Sequence, residues 1–154
     1  MRFSRNIATA LALFLCVTLL TGCPTAKQLD RMAGASRELA HDTVTAEKTV
    51  AALYKANALS LAQKDRLAEK LKLIATNGQR FNALIASLDQ QYRDGKLSDD
   101  ALSALRKNFL EVSRPFADLL SDFNLLPSWI AKRLNTGVQD LQRHVETIQE
   151  TLNR

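Results

Sequence analysis

The chain beyond about residue 23 is predicted to be all-α, an antiparallel up-down-up-down four-helix bundle. Three observations predict it. Apolar residues recur at alternating intervals of three and four along four separate stretches, the spacing of helices packed in a coiled-coil-like bundle. Brief stop signals divide the stretches: Asn57, Asp94-Gly95 and Asn124-Leu125-Leu126-Pro127. The 154 residues hold only five glycines and three prolines, while Ala, Leu, Lys, Gln and Arg are plentiful, a helical composition without low-complexity segments.

The first helix is expected from about Ala26 to Ala56, with a seam of Leu29, Met32, Ser36, Leu39, Thr43, Ala46, Val50 and Leu53. Thr25, with Gln28 three residues on, can close a capping box at its start. This seam is the weakest, because Ser36, Thr43 and Ala46 interrupt it and Gly34 lies on the outer face. Residues 23–35 are therefore expected to fray into a stalk ahead of a bundle spanning 36–154.

Asn57 suits the left-handed residue that ends a helix, and Ser60 with Gln63 forms a second capping box. The second seam is Leu67, Leu71, Ile74, Gly78, Phe81, Ile85, Leu88 and Tyr92. Asn77-Gly78 is a turn dipeptide, yet the three-four spacing crosses it without slipping, so one unbroken helix is predicted. Gly78 on the seam is read as permitting close helix approach, at about 1 kcal/mol relative to Ala.

Asp94-Gly95 closes this helix. Ser98 is expected to cap the third, with Asp99 and Asp100 at the positive end of its dipole. Its seam, Leu102, Leu105, Phe109, Val112, Phe116, Leu119 and Phe123, is large and apolar throughout. Pro115 removes an amide and crowds the preceding turn, which predicts a kink or split near Ser113. Ser128 is expected to cap the fourth helix, whose seam is Leu134, Val138, Leu141, Val145, Ile148 and Leu152.

A short echo supports these boundaries. Tyr54 to Ser60 and Tyr92 to Ser98 share an aromatic near the helix end, an Asn or Gly stop, a leucine and a serine. Convergent turn chemistry and duplication both account for it. Short connections make neighbouring helices antiparallel, and helices of about 26–30 residues make the bundle roughly 40 Å long. The 92–98 turn and the C-terminus then lie at the end where the chain enters. The 54–60 and 123–128 turns lie at the far end.

The N-terminus reads differently. Arg2 and Arg5 precede an apolar run of 14 residues, Ile7 to Leu20. A spanning helix needs about 20 apolar residues, so the run suits a signal peptide of residues 1–22 better than a permanent membrane helix. Leu20-Thr21-Gly22-Cys23 follows, with an aliphatic, a small residue and a cysteine in order. This stretch resembles the lipobox of bacterial lipoprotein precursors. The resemblance implies cleavage before Cys23, lipidation of Cys23 with three acyl chains including palmitate, and a domain held at a membrane of the cell envelope outside the cytoplasm. Two chains already anchor stably. Cys16 lies inside the apolar run, so Cys23 would be the sole cysteine of the mature chain and no internal disulfide could form.

The formal charge is +5, or +3 once Arg2 and Arg5 are removed, and acidic and basic residues are interspersed. That describes a solvated surface and argues against a nucleic-acid partner. Catalytic signatures are missing. Glu38 and His41 have the Glu-x-x-His spacing of di-iron bundles, but in one copy and facing outward. No CxxCH, HExxH, P-loop or dinucleotide fingerprint occurs. His41-Asp42 has no nucleophile turn beside it, and His144-x-Glu146 lacks the cysteine pair of a zinc deaminase.

Two groups of residues remain as candidates. Met32 near the start of the first helix and His144 near the end of the last have a placement similar to the axial ligands of periplasmic four-helix haem-b cytochromes. Leu125, Leu126, Trp129 and Ile130 form the most apolar turn, either a plug for the bundle or a partner contact, since Trp is enriched at interface hot spots. The expected function is a non-catalytic, membrane-anchored envelope lipoprotein whose bundle binds or scaffolds another envelope protein, with no cofactor and no metal. The alternative is a carrier bundle holding haem or a small apolar ligand between its helices, in a void beside Met32. A third expectation is a homodimer paired through the small residues of the first helix.

Overall fold

The computed structural model describes residues 23–154; the predicted signal peptide, residues 1–22, lies outside them. The described residues form four α-helices: α1 (Ala26–Lys55), α2 (Leu61–Arg93), α3 (Ala101–Asn124) and α4 (Ser128–Leu152). They pack in ring order, α1 on α2, α2 on α3 and α4 back on α1, while α3 and α4 touch least. At 1.5 Å per residue the helices, 24 to 33 residues long, span about 36–50 Å. Among the described residues a buried core is drawn from all four helices.

The starts and stops of α1 and α2 follow from local chemistry. Thr25 and Ser60 each accept the amide of the residue three on, Gln28 or Gln63, whose side chain accepts the cap's own amide in return. Asn57 (φ 56°) and Gly95 (φ 66°) both take the left-handed conformation. Beyond each, the next amide reaches back across the turn, Ala58 to the Leu53 carbonyl at 2.9 Å and Lys96 to Gln91 at 2.8 Å. The echo between 54–60 and 92–98 is thus one helix stop used twice.

The echo ends at the serine. Ser98 does not cap α3: Asp100 stands at the cap position, without a side-chain bond, and the Ser98 carbonyl accepts the Ala101 amide in a preceding turn. Nor does Ser128 cap α4, which starts on Pro127 with the Ile130 and Ala131 amides on its carbonyl. The residue three beyond each serine is alanine, Ala101 and Ala131, which has no side chain to complete a reciprocal box.

The seams are buried with few departures. Tyr92 is exposed beyond the end of the core, and Leu102 and Phe123 are half-buried at the two ends of α3. Phe81 and Phe109 meet across α2 and α3 with ring centroids 5.9 Å apart. The expected stalk is packed instead. Leu29, Met32 and Ala35 are buried, and the Gln28 side-chain Nε2 donates to the Thr151 carbonyl of α4 at 3.4 Å. The polar seam residues are satisfied too: Ser36 Oγ donates to the Gly78 carbonyl at 3.2 Å and Thr43 Oγ1 to Leu39 at 2.6 Å. Ser36, Thr43 and Ala46 are all buried within the chain, so the face expected to pair a homodimer is already occupied.

The helix α2 runs unbroken through Asn77-Gly78, and α3 runs unbroken through Pro115 rather than splitting near Ser113. The two facts are linked. Pro115 has no amide for the carbonyl four residues earlier, Glu111, and Asn77 Nδ2 donates to that carbonyl at 2.7 Å. Close approach does not require Gly78: a methyl group there would meet only Leu39 Cδ2, at 3.9 Å. Gly78→Ala is expected to stabilise the protein by about 1 kcal/mol, seen as a higher urea midpoint; a lower midpoint would show that α1 needs the bare backbone. Asn77→Ala is expected to cost about 1 kcal/mol, and much less in a Pro115→Ala background, where the missing amide returns; equal costs in both backgrounds would sever the link between the two residues.

Candidate functional site

The two ends of the bundle differ in chemistry. At the entry end, Cys23 is exposed, and its Sγ donates to the Ser98 carbonyl at 3.6 Å and to Asp99 Oδ1 at 3.7 Å. The next residue, Pro24, is already buried. The C-terminus closes the same end, where Arg106 of α3 donates to the Leu152 carbonyl at 3.0 Å. The entry residue, the α2–α3 turn and the C-terminus therefore meet at one end, as the topology predicted. Partial desolvation at this crowded corner, and then the Asp99 carboxylate, push the Cys23 thiol up from its ordinary value. It is a weaker nucleophile for that reason.

The far end is formed by the α1–α2 and α3–α4 turns. There the structure divides the four apolar candidates. Ile130 is buried in the core and Leu126 packs against it, while Leu125 is 74% exposed and Trp129 is 55% exposed. Ile130 sits four residues before Leu134, on the seam, which accounts for the split. Two residues that the seam reading passed over join the exposed pair: Leu61, at the first position of α2, and Tyr54, beside the α1 seam. Their signal was present as large apolar residues off the seam at helix ends. Lys64 Nζ lies 5.6 Å from the Tyr54 ring centroid and 2.7 Å from Asp65 Oδ1, and that carboxylate holds the ammonium above its ordinary value. Beside Leu125 a hollow of about 150 Å³ is bounded by Gln63, Arg66, Leu67, Asp122 and Leu126. This end could receive an apolar side chain between groups of both charges.

Met32 and His144 do not come together. Met32 is buried near the start of α1, and His144 Nε2 lies 3.0 Å from Asp42 Oδ2. Asp42 is ten residues beyond Met32, about 15 Å along the helix, so the two side chains sit at different levels. Asp42 is also bonded to His41 Nδ1 at 3.2 Å, on the outer surface. Among the described residues no group of three or more His, Cys, Asp or Glu could hold a metal ion, and no helix is long and apolar enough to cross a membrane.

The class these observations define is an all-α antiparallel four-helix bundle with an exposed cysteine at one end and an exposed apolar cluster at the other. Compared with protein-family models, with curated proteins and with solved structures, the chain matches none. Ile130→Ala is expected to cost about 2–5 kcal/mol, whereas Trp129→Ala should cost less than about 1 kcal/mol, both read from thermal unfolding. A large loss with Trp129→Ala would assign that residue to the core.

Proposed function

We propose that the chain is a lipid-anchored envelope lipoprotein whose bundle has no catalytic role and serves as a binding or scaffold module. Cys23 carries the lipid, and the far end, through Leu125 and Trp129, contacts another protein of the envelope. The observation that carries the reading is the polarity of the rod. The single lipobox cysteine is exposed at one end, and half of the exposed large apolar side chains among the described residues, Tyr54, Leu61, Leu125 and Trp129, lie at the other. Exposed apolar clusters of this kind mark contact sites. Ion pairs such as Arg31 with Glu150 at 3.6 Å and Arg93 with Asp89 at 2.9 Å lie on a solvated surface and contribute little.

Labelling with palmitate in a bacterial host tests the anchor. The wild-type chain is expected to incorporate label and to leave the membrane fraction only with detergent, while Cys23→Ser takes up none. Equal membrane retention and no label in either protein would overturn the lipoprotein reading. Crosslinking from intact cells through position 129 then tests the contact, which fails if no adduct depends on the exposed Trp129 and Leu125 side chains.

A further inference from the structure

Between the four helices, in the half of the bundle far from Cys23, lies a cavity of about 220 Å³. We infer that it is a ligand site, for a compact aryl or short-chain alkyl monocarboxylate whose apolar body enters the bundle and whose acid group stays at the rim.

The inner wall comes from all four helices: Val50 of α1, Leu67 and Leu71 of α2, Leu119 of α3, Leu134 and Val138 of α4, every one buried. The void has a cause in the sequence. Ala46 and Gly137 face each other across α1 and α4, and a methyl group on Gly137 would lie 3.9 Å from Ala46 Cβ. That is ordinary contact, so the backbones do not require a glycine. Both residues simply leave side-chain volume missing at one level, while Leu39, Leu53, Leu134 and Leu141 fill the levels on either side. Apolar cavities stay dry, and one of about 150 Å³ admits benzene. Drug-sized sites run from about 300 Å³ upward, so this one suits a smaller molecule and is too small for haem.

The rim sets the second half of the specificity. Thr45 and Thr49 on α1, and Arg133, Thr136 and Asp140 on α4, line the outer side. Asp140 pairs with Arg143, and the two α1 threonine hydroxyls donate to the His41 and Thr45 carbonyls of their own helix. Among the described residues Arg133 makes no ion pair and is exposed. A guanidinium beside an apolar mouth matches a carboxylate through two parallel hydrogen bonds. The site is independent of any lipid on Cys23, which lies at the other end of the bundle.

The test uses residues 23–154 with 1-naphthoate and its uncharged counterpart 1-naphthalenemethanol, followed by calorimetric titration and by the shift in melting temperature. Both are expected to bind the wild-type bundle and raise its melting temperature, the acid more tightly. Arg133→Gln, a surface change, should weaken the acid at least fivefold and leave the alcohol unaltered. Gly137→Leu, which places a side chain in the void, should abolish binding of both while the bundle stays folded by circular dichroism. No saturable binding of either probe to the wild type would overturn the proposal, as would unchanged binding to a folded Gly137→Leu bundle. Equal loss of acid and alcohol with Arg133→Gln would overturn the assignment of the acid group. If Gly137→Leu does not fold, the wild-type titration and the acid-to-alcohol ratio in Arg133→Gln decide the matter alone.

Discussion

The architecture depends on α2 remaining helical through Asn77-Gly78. A break there would detach the half that begins at Leu61 from the half that ends at Arg93, and α2 is the helix against which both α1 and α3 pack. The local preference is for a turn, and Gly in a helix costs about 1 kcal/mol. Against it stand Ile74 and Phe81, one turn to either side, both buried, each worth about 1.5–3 kcal/mol. Burial wins, and the same dipeptide then serves both neighbours. The Gly78 carbonyl receives Ser36 from α1, and the Asn77 amide reaches Glu111 of α3. These are the polar contacts that fix how far the three helices slide along one another, because apolar seams alone tolerate slippage by a turn.

Much of the fold was legible because it is written in short-range chemistry. A capping box needs a Thr or Ser and a Gln three residues on, and both boxes formed where that pair exists. Where the serine had only alanine at the third position, at Ser98 and Ser128, the sequence promised caps that the structure does not make. The stalk and the split failed for another reason: the deciding partner lies far along the chain. The start of α1 is tied to α4 by Gln28 to Thr151, more than a hundred residues away, and the carbonyl exposed by Pro115 is met from α2. The division of the apolar turn was available in principle, since Ile130 continues the seam of Leu134 backwards by four. The cavity was not, because it requires Ala46 and Gly137 to fall at the same level, a fact of register between helices rather than of either helix.

The molecule has two ends that ask for different surroundings. The entry end gathers the exposed cysteine, the Asp99 carboxylate and both chain termini of the bundle. The far end gathers aromatic and aliphatic side chains that water solvates poorly, with Lys64, Arg66 and Asp122 among them. A helical rod of about 36–50 Å keeps the two apart. On the lipoprotein reading this separation is the physical content of scaffolding: one end is confined to a surface, and the other is carried at a fixed distance from it.

The way α4 is held bears on how such a rod would stand. It gains little from α3 and is secured chiefly by α1, through Gln28 to Thr151, Arg31 to Glu150 and Asp42 to His144. The first half of α1 is therefore a structural clamp on the last helix. With Pro24 already buried there is no slack between residue 23 and the core. A lipid on Cys23 would hold the end of the bundle directly against the headgroups instead of on a flexible leash, which would limit its tilt and keep the exposed Trp129 end turned away from the surface. The mouth of the cavity, between Thr45 and Thr49 of α1 and Arg133 and Asp140 of α4, lies in the half away from these first contacts, so a molecule could enter there without disturbing the Cys23 end.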